Sequence, residues 1–587
     1  RTVCVWRFEP DIAETDDSMS HQDACLEEYD DAIDADAGCA MAAAIDRAFK
    51  TINARFVASR DTRQTTGNLE SATSAWISAI VPPSNLEQED PGAPQLRLRL
   101  DFAHGQRSDD TRECAGYNAK GGIVYVCGAL GVVYDARTHS QSFQFHHPTG
   151  SAPTISSLSS AESHAVQGSG ALADVSSLAV SYDGKFAASG DQARFPRVRI
   201  WDAMTGNSIC ALPRHLRRGI ISLTFSKNGR HLAAIAGDID HSYALYKTHS
   251  GGWEDATRIS FSSGTKSRVF CAGFVGRDAY PCFVGTRNGA EFVWPGACSG
   301  IRRQRGLFGD YRCPKVPILC VTRAISVATD VGDVRTKSHA DRNTDMAAKK
   351  MSSDTVALTG TMAGSLYMWI GTSVQDHILN AHDGPVYAIA ATQKRLAYAT
   401  AGRDGAVKLW SSHLQPLRSF KLAESRISLL TPVAASLCFR APNETKLLVI
   451  ARSGEMCELT TYSGGMVLLT EAHARSKRHA TESHGLDVNP QFGDIYATCG
   501  DDSTVRVWSC EARRCIMRVL PDILGGAAAR SCSWAPDGMH LAVGLGGDPL
   551  DKARDGTLVV LRIISGVFSV SFLYMTYLYV QNAGGNP

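Results

Sequence analysis

The chain has 587 residues, of which 44% are hydrophobic, so we expect two or three sizeable folded cores rather than a disordered chain. Its 52 glycines follow no collagen-like period and predict many turns between short strands. The net charge is +1, but residues 1–46 carry 13 acidic and two basic side chains, which leaves +12 on the remainder. A basic body favours an acidic partner, although an ordinary solvated surface has the same composition.

The N-terminal region begins with an apolar segment, residues 2–8 (TVCVWRF), that predicts a strand and lacks the pattern of a secretory signal. The 17 cysteines, an odd number scattered along the chain, fit a reduced, cytoplasmic protein. Residues 10–90 form an acidic and then mixed linker, in which residues 40–56 could form a helix. Asp31, Asp34 and Asp36 in this linker do not fit the register of a calcium-binding loop.

Internal repeats are the main signal in the rest of the chain. Eight short apolar segments end in Trp or another large residue, at spacings of 45, 48, 75, 41, 49, 49 and 53 residues. We call them the closing segments; they are residues 198–201, 244–246, 291–294, 366–369, 407–410, 456–459, 505–508 and 558–561. A turn residue, usually Gly, lies five positions before the end of most of them, as expected of a strand that leaves a tight hairpin turn.

Each repeat also has earlier strands. Residues 177–184 (SLAVSYDG), 222–229 (SLTFSKNG) and 532–538 (CSWAPDG) are apolar segments that end in a turn, and a strand of small residues follows each one. Three to four strands in 40–50 residues are typical of a β-propeller blade. The predicted fold class is therefore all-β, a WD40-type propeller.

The repeats also contain individual WD40 signature residues. Residues 381–384 (AHDG) are similar to the Gly-His opening of such a repeat, and Trp201-Asp202 is the one complete Trp-Asp pair at the end of a closing segment. We interpret these polar and aromatic residues as structural and not catalytic; they are Trp201, Asp202, Trp294, Trp369, His382, Asp404, Trp410, Asp502 and Trp508.

The domain organisation follows from the repeats and the gaps between them. Two segments, residues 148–172 and 325–354, are polar and are predicted to be loop insertions, the second within a hairpin. The apolar tail 563–587 includes 18 uncharged residues (563–580), the minimum for a membrane span. Ser, Thr and Tyr interrupt it, so we favour a β-rich tail or an erroneous C-terminus over a membrane segment.

The sequence contains none of the catalytic patterns that we looked for: no phosphate-binding Gly-rich loop, no His-Glu-x-x-His and no Gly-x-Ser-x-Gly. Cys510 and Cys515 lack a second pair at zinc-ligand spacing and are interpreted as core residues. His473, His479 and His484 could form a metal site, but a plain surface loop is favoured. We therefore expect no enzyme activity, no metal and no cofactor.

The order and spacing of several segments resemble the echinoderm microtubule-associated protein-like (EML) family from about residue 79 to 561. The resemblance is carried by residues 79–85 (AIVPPSN), 96–102 (LRLRLDF), 105–107 (GQR), 123–134 (IVYVCGALGVVY), 304–308 (QRGLF), 315–322 (KVPILCVT), 381–384 (AHDG) and 402–405 (GRDG). It implies a module of two joined propellers, the first closed with the help of the hydrophobic HELP motif, and it implies binding to tubulin and microtubules.

The resemblance divides the chain into segments. They are 1–9, the last strand of a preceding module; 10–90, the linker; 91–135, a HELP-like segment with the first strands; 136–460, a closed first propeller; 461–562, the start of a second propeller; and 563–587, the tail. The repeats stop several blades short of a full second propeller, so we expect a piece of a longer tandem protein or a truncated gene model. The chain shows no trimerising coiled coil of the kind that strengthens microtubule attachment in some members of the family.

Clusters of basic residues are the candidate partner-binding sites. They are Arg214, Arg217 and Arg218; Arg302, Arg303 and Arg305; Lys349 and Lys350; and Arg475, Lys477 and Arg478. Tubulin exposes acidic tails, which Lys and Arg on loops would attract. The alternative for each cluster is an ordinary solvated loop.

Three functions remain open from the sequence. A cytoplasmic, cytoskeleton-associated protein that binds microtubules is favoured, and a general propeller scaffold for ciliary or signalling assemblies is the alternative. A propeller hydrolase would need titratable side chains that converge at the central channel. Nucleic acid is not expected as a partner, because no recognition motif or interleaved aromatic residues accompany the basic clusters.

Overall fold

The computed structural model describes residues 98–108, 111, 113–145, 174–213, 215–277, 279–309, 313–324, 356–392, 397–473, 483–546 and 556–563. It also gives the backbone of residues 3–10, 96–97 and 575–580. The linker over most of 10–90, the helix over 40–56 and the insertions 148–172 and 325–354 lie outside the described residues. Residues 6–101 form one compact unit, and residues 1–5 with 102–587 form another.

The described part of the smaller unit belongs to a two-stranded sheet. Its strands are β1 (Val3–Pro10) and β2 (Leu96–His104). The N-terminal segment predicted to be a strand is therefore one.

The larger unit is built from nine four-stranded antiparallel sheets, and in each the strands pair in the order of the chain. Sheet 1 consists of β3 (Ala115–Tyr117), β4 (Ile123–Cys127), β5 (Leu130–Asp135) and β6 (Ser140–Phe145). Sheet 2 consists of β7 (Val175–Val180), β8 (Phe186–Asp191), β9 (Val198–Asp202) and β10 (Ser208–Ala211). Sheet 3 consists of β11 (Ile220–Phe225), β12 (His231–Ala236), β13 (Tyr243–Lys247) and β14 (Thr257–Ser262).

The next four sheets continue the pattern. Sheet 4 consists of β15 (Val269–Phe274), β16 (Cys282–Thr286), β17 (Gly289–Pro295) and β18 (Ile301–Arg305). Sheet 5 consists of β19 (Ile318–Arg323), β20 (Val356–Thr361), β21 (Leu366–Ile370) and β22 (Ser373–Ile378). Sheet 6 consists of β23 (Val386–Ala391), β24 (Ala397–Gly402), β25 (Ala406–Ser411) and β26 (Pro416–Lys421). Sheet 7 consists of β27 (Ala434–Phe439), β28 (Lys446–Ala451), β29 (Met456–Thr460) and β30 (Met466–Thr470).

Two further sheets follow. Sheet 8 consists of β31 (Ser483–Val488), β32 (Ile495–Gly500), β33 (Val505–Ser509) and β34 (Arg514–Val519). Sheet 9 consists of β35 (Ala529–Trp534), β36 (His540–Leu545), β37 (Leu558–Ile563) and β38 (Met575–Val580). The backbone of β38, in the apolar tail, pairs with β37. Helical turns in the described residues are two short 3-10 helices, Ala297–Ser299 and Leu422–Glu424. No helix in this part of the chain is long and apolar enough to cross a membrane.

The predicted repeat is confirmed in detail, because all eight closing segments lie on the third strand of a sheet. The turn residues before them have positive φ, as a tight hairpin requires; they are Gly289, Gly364, Gly405, Gly454, Ser503 and Gly556. Strands β19 and β20 flank the insertion 325–354 and pair with each other in antiparallel fashion, as predicted for a hairpin. Sheet 1 spans both sides of the predicted boundary between residues 135 and 136.

Sheets 1–7 close into a ring, which we call the first ring. The innermost strand of each sheet contacts that of the next, and β27 of sheet 7 contacts β3 of sheet 1. Sheets 1 and 7 share one core, in which Leu448, Ile450 and Met456 pack with residues of β3–β5. The Tyr117 hydroxyl also donates a hydrogen bond to Glu458 Oε1 across this junction, at 2.9 Å. The fold is therefore an all-β, closed seven-bladed propeller followed by sheets 8 and 9.

The second strands explain the small residues in each repeat. They are buried along nearly their whole length because neighbouring sheets cover both of their faces. A Cβ atom at Gly190 of β8 would lie 2.6 Å from the Cβ of Ile220 in the next sheet, closer than two carbon atoms can pack. Larger side chains at such positions would push the sheets apart.

Sheets 8 and 9 pack on each other through a shared core, but they do not close a ring among the described residues. In the first ring the preceding sheet buries the fourth residue of the first strand, as at Leu178 and Leu223. The equivalent Leu486 in sheet 8 is 59% exposed. These two sheets pack as neighbouring blades that follow the first ring, and the second propeller expected from residue 461 onward stays a prediction.

Candidate functional site

In sheet 6, a tryptophan, a threonine, a histidine and an aspartate form one continuous chain of hydrogen bonds, which we call a WD-type chain. The Trp410 indole Nε1–H donates to Thr400 Oγ1 at 2.8 Å, and Thr400 Oγ1 lies 2.7 Å from His382 Nε2. His382 Nδ1 lies 3.0 Å from both carboxylate oxygens of Asp404. Burial lowers the pKa of His382, so the neutral ring donates from Nδ1 to Asp404 and accepts the Thr400 hydroxyl proton at Nε2. This chain braces the sheet and leaves no group available for chemistry.

Sheet 8 repeats the arrangement with His473, Thr498, Asp502 and Trp508. Trp508 Nε1 lies 2.7 Å from Thr498 Oγ1, and Thr498 Oγ1 lies 2.8 Å from His473 Nε2. His473 Nδ1 lies 3.1 Å from the Asp502 carboxylate. The interpretation of His473 as part of a plain surface loop is wrong, because its side chain is only 5% exposed. His484 instead contacts Asp501 at 3.0 Å, and His479 lies outside the described residues.

The other predicted WD-type tryptophans have shorter versions of this chain or none. Trp201 donates to Ser189 Oγ and Trp369 donates to Thr359 Oγ1, each at 3.0 Å. Asp202 accepts the backbone N–H of Met204 and so closes the turn after β9. Trp294 differs, because its ring is only half-buried and carries the Arg302 guanidinium 4.6 Å from its centroid.

The sequence holds a signal for this difference. The hydroxyl partner precedes its tryptophan by ten or twelve residues, because it stands opposite the residue two positions before the tryptophan, diagonally across the hairpin of the second and third strands. In sheet 4 the equivalent position is held by Phe283, which stands opposite Phe292, two residues before Trp294, so no hydroxyl is available there. A fully buried tryptophan without a partner would have an unpaired indole N–H, which is destabilising. Trp294 is only half-buried, so its N–H does not need a partner within the protein.

Aromatic stacking joins the first ring to sheet 8. The ring centroids of His104 and Trp508 lie 4.4 Å apart with the rings tilted by 44°, and the Phe102 ring centroid lies 4.8 Å from that of His104. His139 of sheet 1 places its Nε2 3.0 Å from the carbonyl oxygen of Arg513 in the β33–β34 turn. Residues that immediately precede the first sheet thus help to fix sheet 8 against the first ring.

A buried network of charges crosses the same junction, and we call it the joint network: Arg506, Glu471, Arg518 and Glu455. Arg506 is fully buried and pairs with Glu471. Arg518 lies 3.3 Å from Glu471 and 3.4 Å from Glu455 of sheet 7. Glu455 is itself fully buried and accepts the backbone N–H of Leu430. Alternating charges therefore link β33 and β34 to sheet 7.

His104 gives this junction a pH dependence. Burial, together with the charges of His139 and Arg506, lowers the pKa of His104 from 6.5 to about 3. The unfolded chain then binds more protons than the folded chain below pH 6.5, so stability is full above that pH and falls as the pH drops toward 3. Between pH 7 and pH 5 we expect a loss of about 2 kcal/mol from this residue alone.

The His104→Phe variant tests this dependence, because it keeps a ring against Trp508 but cannot be protonated. We expect its urea-unfolding midpoint to shift less between pH 7 and pH 5 than that of the wild type. The other histidines are common to the two proteins, so the comparison isolates residue 104. Equal shifts in the two proteins would contradict the assignment of the effect to His104.

The cluster Arg302, Arg303 and Arg305 lies on strand β18, not on a loop as predicted. β18 is the outermost strand of sheet 4, and all three side chains are exposed. Arg303 donates to the carbonyl oxygen of Gly264, which follows sheet 3, whereas Arg305 stands opposite Glu291 on β17. Because side chains alternate along a strand, the arginines lie on both faces of this edge. We call these three residues the edge cluster.

The other basic residues are less completely placed. Arg217 and Arg218 are exposed in the loop between β10 and β11, and Arg218 has a positive φ of 60°. Arg214, Lys349, Lys350, Arg475, Lys477 and Arg478 lie outside the described residues. Arg258 was not among the predicted basic clusters. It is exposed on β14, and because β14 contacts β18, Arg258 adds positive charge beside the edge cluster. Its separation in sequence from residues 302–305 hid it.

Among the described residues, no three His, Cys, Asp or Glu side chains converge as metal ligands. Cys510 and Cys515 pack against the Tyr496–Trp508 pair. Burial raises the pKa of Cys515 to about 12, so it remains a thiol.

Comparison with known proteins agrees with this architecture. The family model described as WD domain, G-beta repeat matches residues 373–411 and 479–509, which end just after Trp410 and Trp508. The chain is 24% identical over 465 residues to echinoderm microtubule-associated protein-like 2 of Rattus norvegicus, covering 77% of this chain and 60% of the relative. It is also 24% identical over 480 residues to the 77 kDa echinoderm microtubule-associated protein of Strongylocentrotus purpuratus, covering 79% and 58%.

The similarity to these relatives extends over most of the described sheets, although the chain spans only about 60% of the relatives' length. A solved structure of RRP9 WD40 repeats is also similar, with 14% identity and a TM-score of 0.39, covering 59% of this chain and 92% of that one. With its repeated sheets and two complete WD-type hydrogen-bond chains, this protein is a WD40-repeat propeller similar to the echinoderm microtubule-associated protein-like family.

Proposed function

We propose that this protein is a non-enzymatic, cytoskeleton-associated propeller protein of the cytoplasm that binds microtubules through basic surfaces of the first ring. The similarity to microtubule-associated relatives over 77% of the chain is the observation that carries the proposal. The edge cluster adds a physical means, because three exposed arginines on one strand would attract the acidic tails of tubulin. Such binding would be electrostatic and would need no cofactor.

Co-sedimentation of the full chain with stabilised microtubules tests the proposal. We expect pelleting that weakens as salt rises, and that weakens on microtubules whose acidic tails have been removed with subtilisin. Reversing the charge of the edge cluster, in the variant Arg302→Glu/Arg303→Glu/Arg305→Glu, should lower the affinity roughly tenfold.

A second triple variant with the same change in net charge provides the control. Lys120, Arg230 and Arg277 are exposed in turns between first and second strands of sheets 1, 3 and 4. Their replacement by Glu should change pelleting by less than about twofold if position matters as well as charge. If both variants lost the same amount of pelleting, the change in net charge alone would explain the effect, and the position of the edge cluster would not matter.

The alternative function is a general WD40 scaffold without direct tubulin contact, since propellers with similar folds serve many unrelated partners. Absence of pelleting by the folded wild-type chain would favour that function and contradict the proposed one. Circular dichroism of the same sample would establish that the chain is folded.

A further inference from the structure

The backbone register of the first ring defines a rim at one end of its channel. In sheets 2–7, the residue after the second strand donates its N–H to the carbonyl oxygen of the residue before the first strand, at 2.8–2.9 Å. The donors are Gln192, Gly237, Arg287, Met362, Arg403 and Arg452. Because the first strands are the innermost strands of the ring, these six residues stand around one mouth of the channel.

Basic residues occupy one side of this mouth. Arg287, Arg403 and Arg452 hold the rim position in sheets 4, 6 and 7, and Arg268 provides the carbonyl acceptor for Arg287. We call these four residues the rim arc. Arg268, Arg287 and Arg403 are exposed, whereas Arg452 is half-buried with its guanidinium 5.1 Å from the Tyr387 ring centroid.

The fold itself does not require arginine at these positions. Gln192, Gly237 and Met362 make the same backbone hydrogen bond in sheets 2, 3 and 5. In sheet 8 the residue after the second strand is Asp501, whose carboxylate pairs with His484 and Arg530. The backbone hydrogen bond therefore does not explain why three of the last four sheets of the ring have arginine at this position.

Two of the carboxylates near the rim arc are already engaged. Asp404, next to Arg403, contacts His382 and Lys408, and Glu455 contacts Arg518. Arg268, Arg287 and Arg403 form no salt bridge with any residue that the structure describes. Their positive charge is therefore not neutralised within this part of the chain and faces solvent at the channel mouth.

The channel wall below the rim arc determines how an acidic ligand could lie. It is lined by small and apolar residues of sheets 4–7, such as Cys271, Leu319 and Ser436, together with Tyr387. Glu113 also lines it. A carboxylate inserted deep into the channel would meet the charge of Glu113, so acidic groups are held at the rim and not inside.

We infer that the rim arc is a docking site for an extended, glutamate-rich segment of a partner protein, which lies across the channel mouth. Successive carboxylates of such a segment can pair with guanidinium groups contributed by sheets 4, 6 and 7. The inference rests on the proposed function for the source of the segment, which is the acidic tail of tubulin. The site itself is defined by the register and charge of the first ring.

Fluorescence anisotropy of a labelled glutamate-rich peptide, titrated with the full chain, tests the site directly. The variant Arg268→Glu/Arg287→Glu/Arg403→Glu removes the exposed members of the rim arc, and the edge-cluster variant is a control with the same charge change. We expect the rim variant to weaken peptide binding at least about tenfold and the edge variant, which acts through longer-range attraction, to weaken it clearly less. A peptide with Gln in place of Glu should not bind.

Two results would overturn the inference: no binding of the glutamate-rich peptide, or an equal loss of binding in the rim and edge variants. Both are independent of microtubule pelleting, which the edge cluster alone could support. Peptide binding that depends on the rim arc, without any pelleting, would uphold the site and contradict the proposed function. If the charge-reversed rim variant does not fold, the variant Arg268→Gln/Arg287→Gln/Arg403→Gln gives the same comparison.

Discussion

Replacing Arg506 by methionine is expected to destabilise sheet 8 by about 3–5 kcal/mol, because it removes the cation from a buried ion pair. Arg506 is fully buried, pairs with Glu471, and lies 3.8 Å from Asp502. Methionine fills a similar volume but leaves carboxylates buried with less compensating charge. Glu471 then keeps its pair with Arg518, and Asp502 keeps its contact with His473. Each carboxylate nevertheless loses part of the charge that offsets its desolvation.

Hydrogen exchange is the suitable measurement, because it reports the opening of one sheet within a large chain that need not unfold in a single step. The amides of β31–β34 should exchange faster in the variant, whereas those of β19–β26, away from the joint network, should not change. Arg305→Met, on the exposed edge of sheet 4, is the control and should alter local stability by less than about 0.5 kcal/mol.

A double variant separates loss of charge balance from loss of packing. Arg506→Met/Glu471→Leu removes both charges, while Arg518 keeps Glu455 as its partner. We expect the double variant to be more stable than Arg506→Met, since apolar replacement of a whole buried ion pair is often tolerated. If Arg506→Met were no less stable than Arg305→Met, the joint network would have no role in holding sheet 8.

The propeller could be predicted from the sequence because each sheet repeats the same local chemistry. A strand of small residues must fit between two neighbouring sheets, and a closing segment must follow a tight turn, so both leave a periodic signal. Trp410 and Trp508 are recognisable for this reason. Ring closure also follows from the repeat, since a sheet with two apolar faces is stable only between neighbours.

The functional surfaces were harder to predict because they depend on positions that are far apart in the sequence. Arg287 and Arg452 lie three sheets apart in the chain, and only the register of the sheets brings them to one channel mouth. His473 was hidden for a different reason. The distance from the histidine to the closing tryptophan is 28 residues for His382 and Trp410 but 35 for His473 and Trp508, mainly because nine residues separate His473 from β31 and only three separate His382 from β23.

Substituting Thr400 by valine is expected to destabilise sheet 6 by about 2–4 kcal/mol, although valine has almost the same shape. Thr400 is completely buried, and its hydroxyl joins Trp410 Nε1 to His382 Nε2. Without it, a buried N–H and a buried ring nitrogen both lose their hydrogen-bond partner. Thr400→Ser keeps the hydroxyl and should retain most of the stability.

Thr359→Val in sheet 5 is the matched control, because Thr359 is equally buried but accepts a hydrogen bond only from Trp369 and has no histidine partner. We expect its cost to be about 1–2 kcal/mol, since only one side-chain donor is left unpaired. Hydrogen exchange of β23–β26 and of β19–β22 measures the two effects separately in the full chain. Equal costs in the two sheets would mean that the histidine and aspartate of the WD-type chain add nothing to the tryptophan–threonine pair.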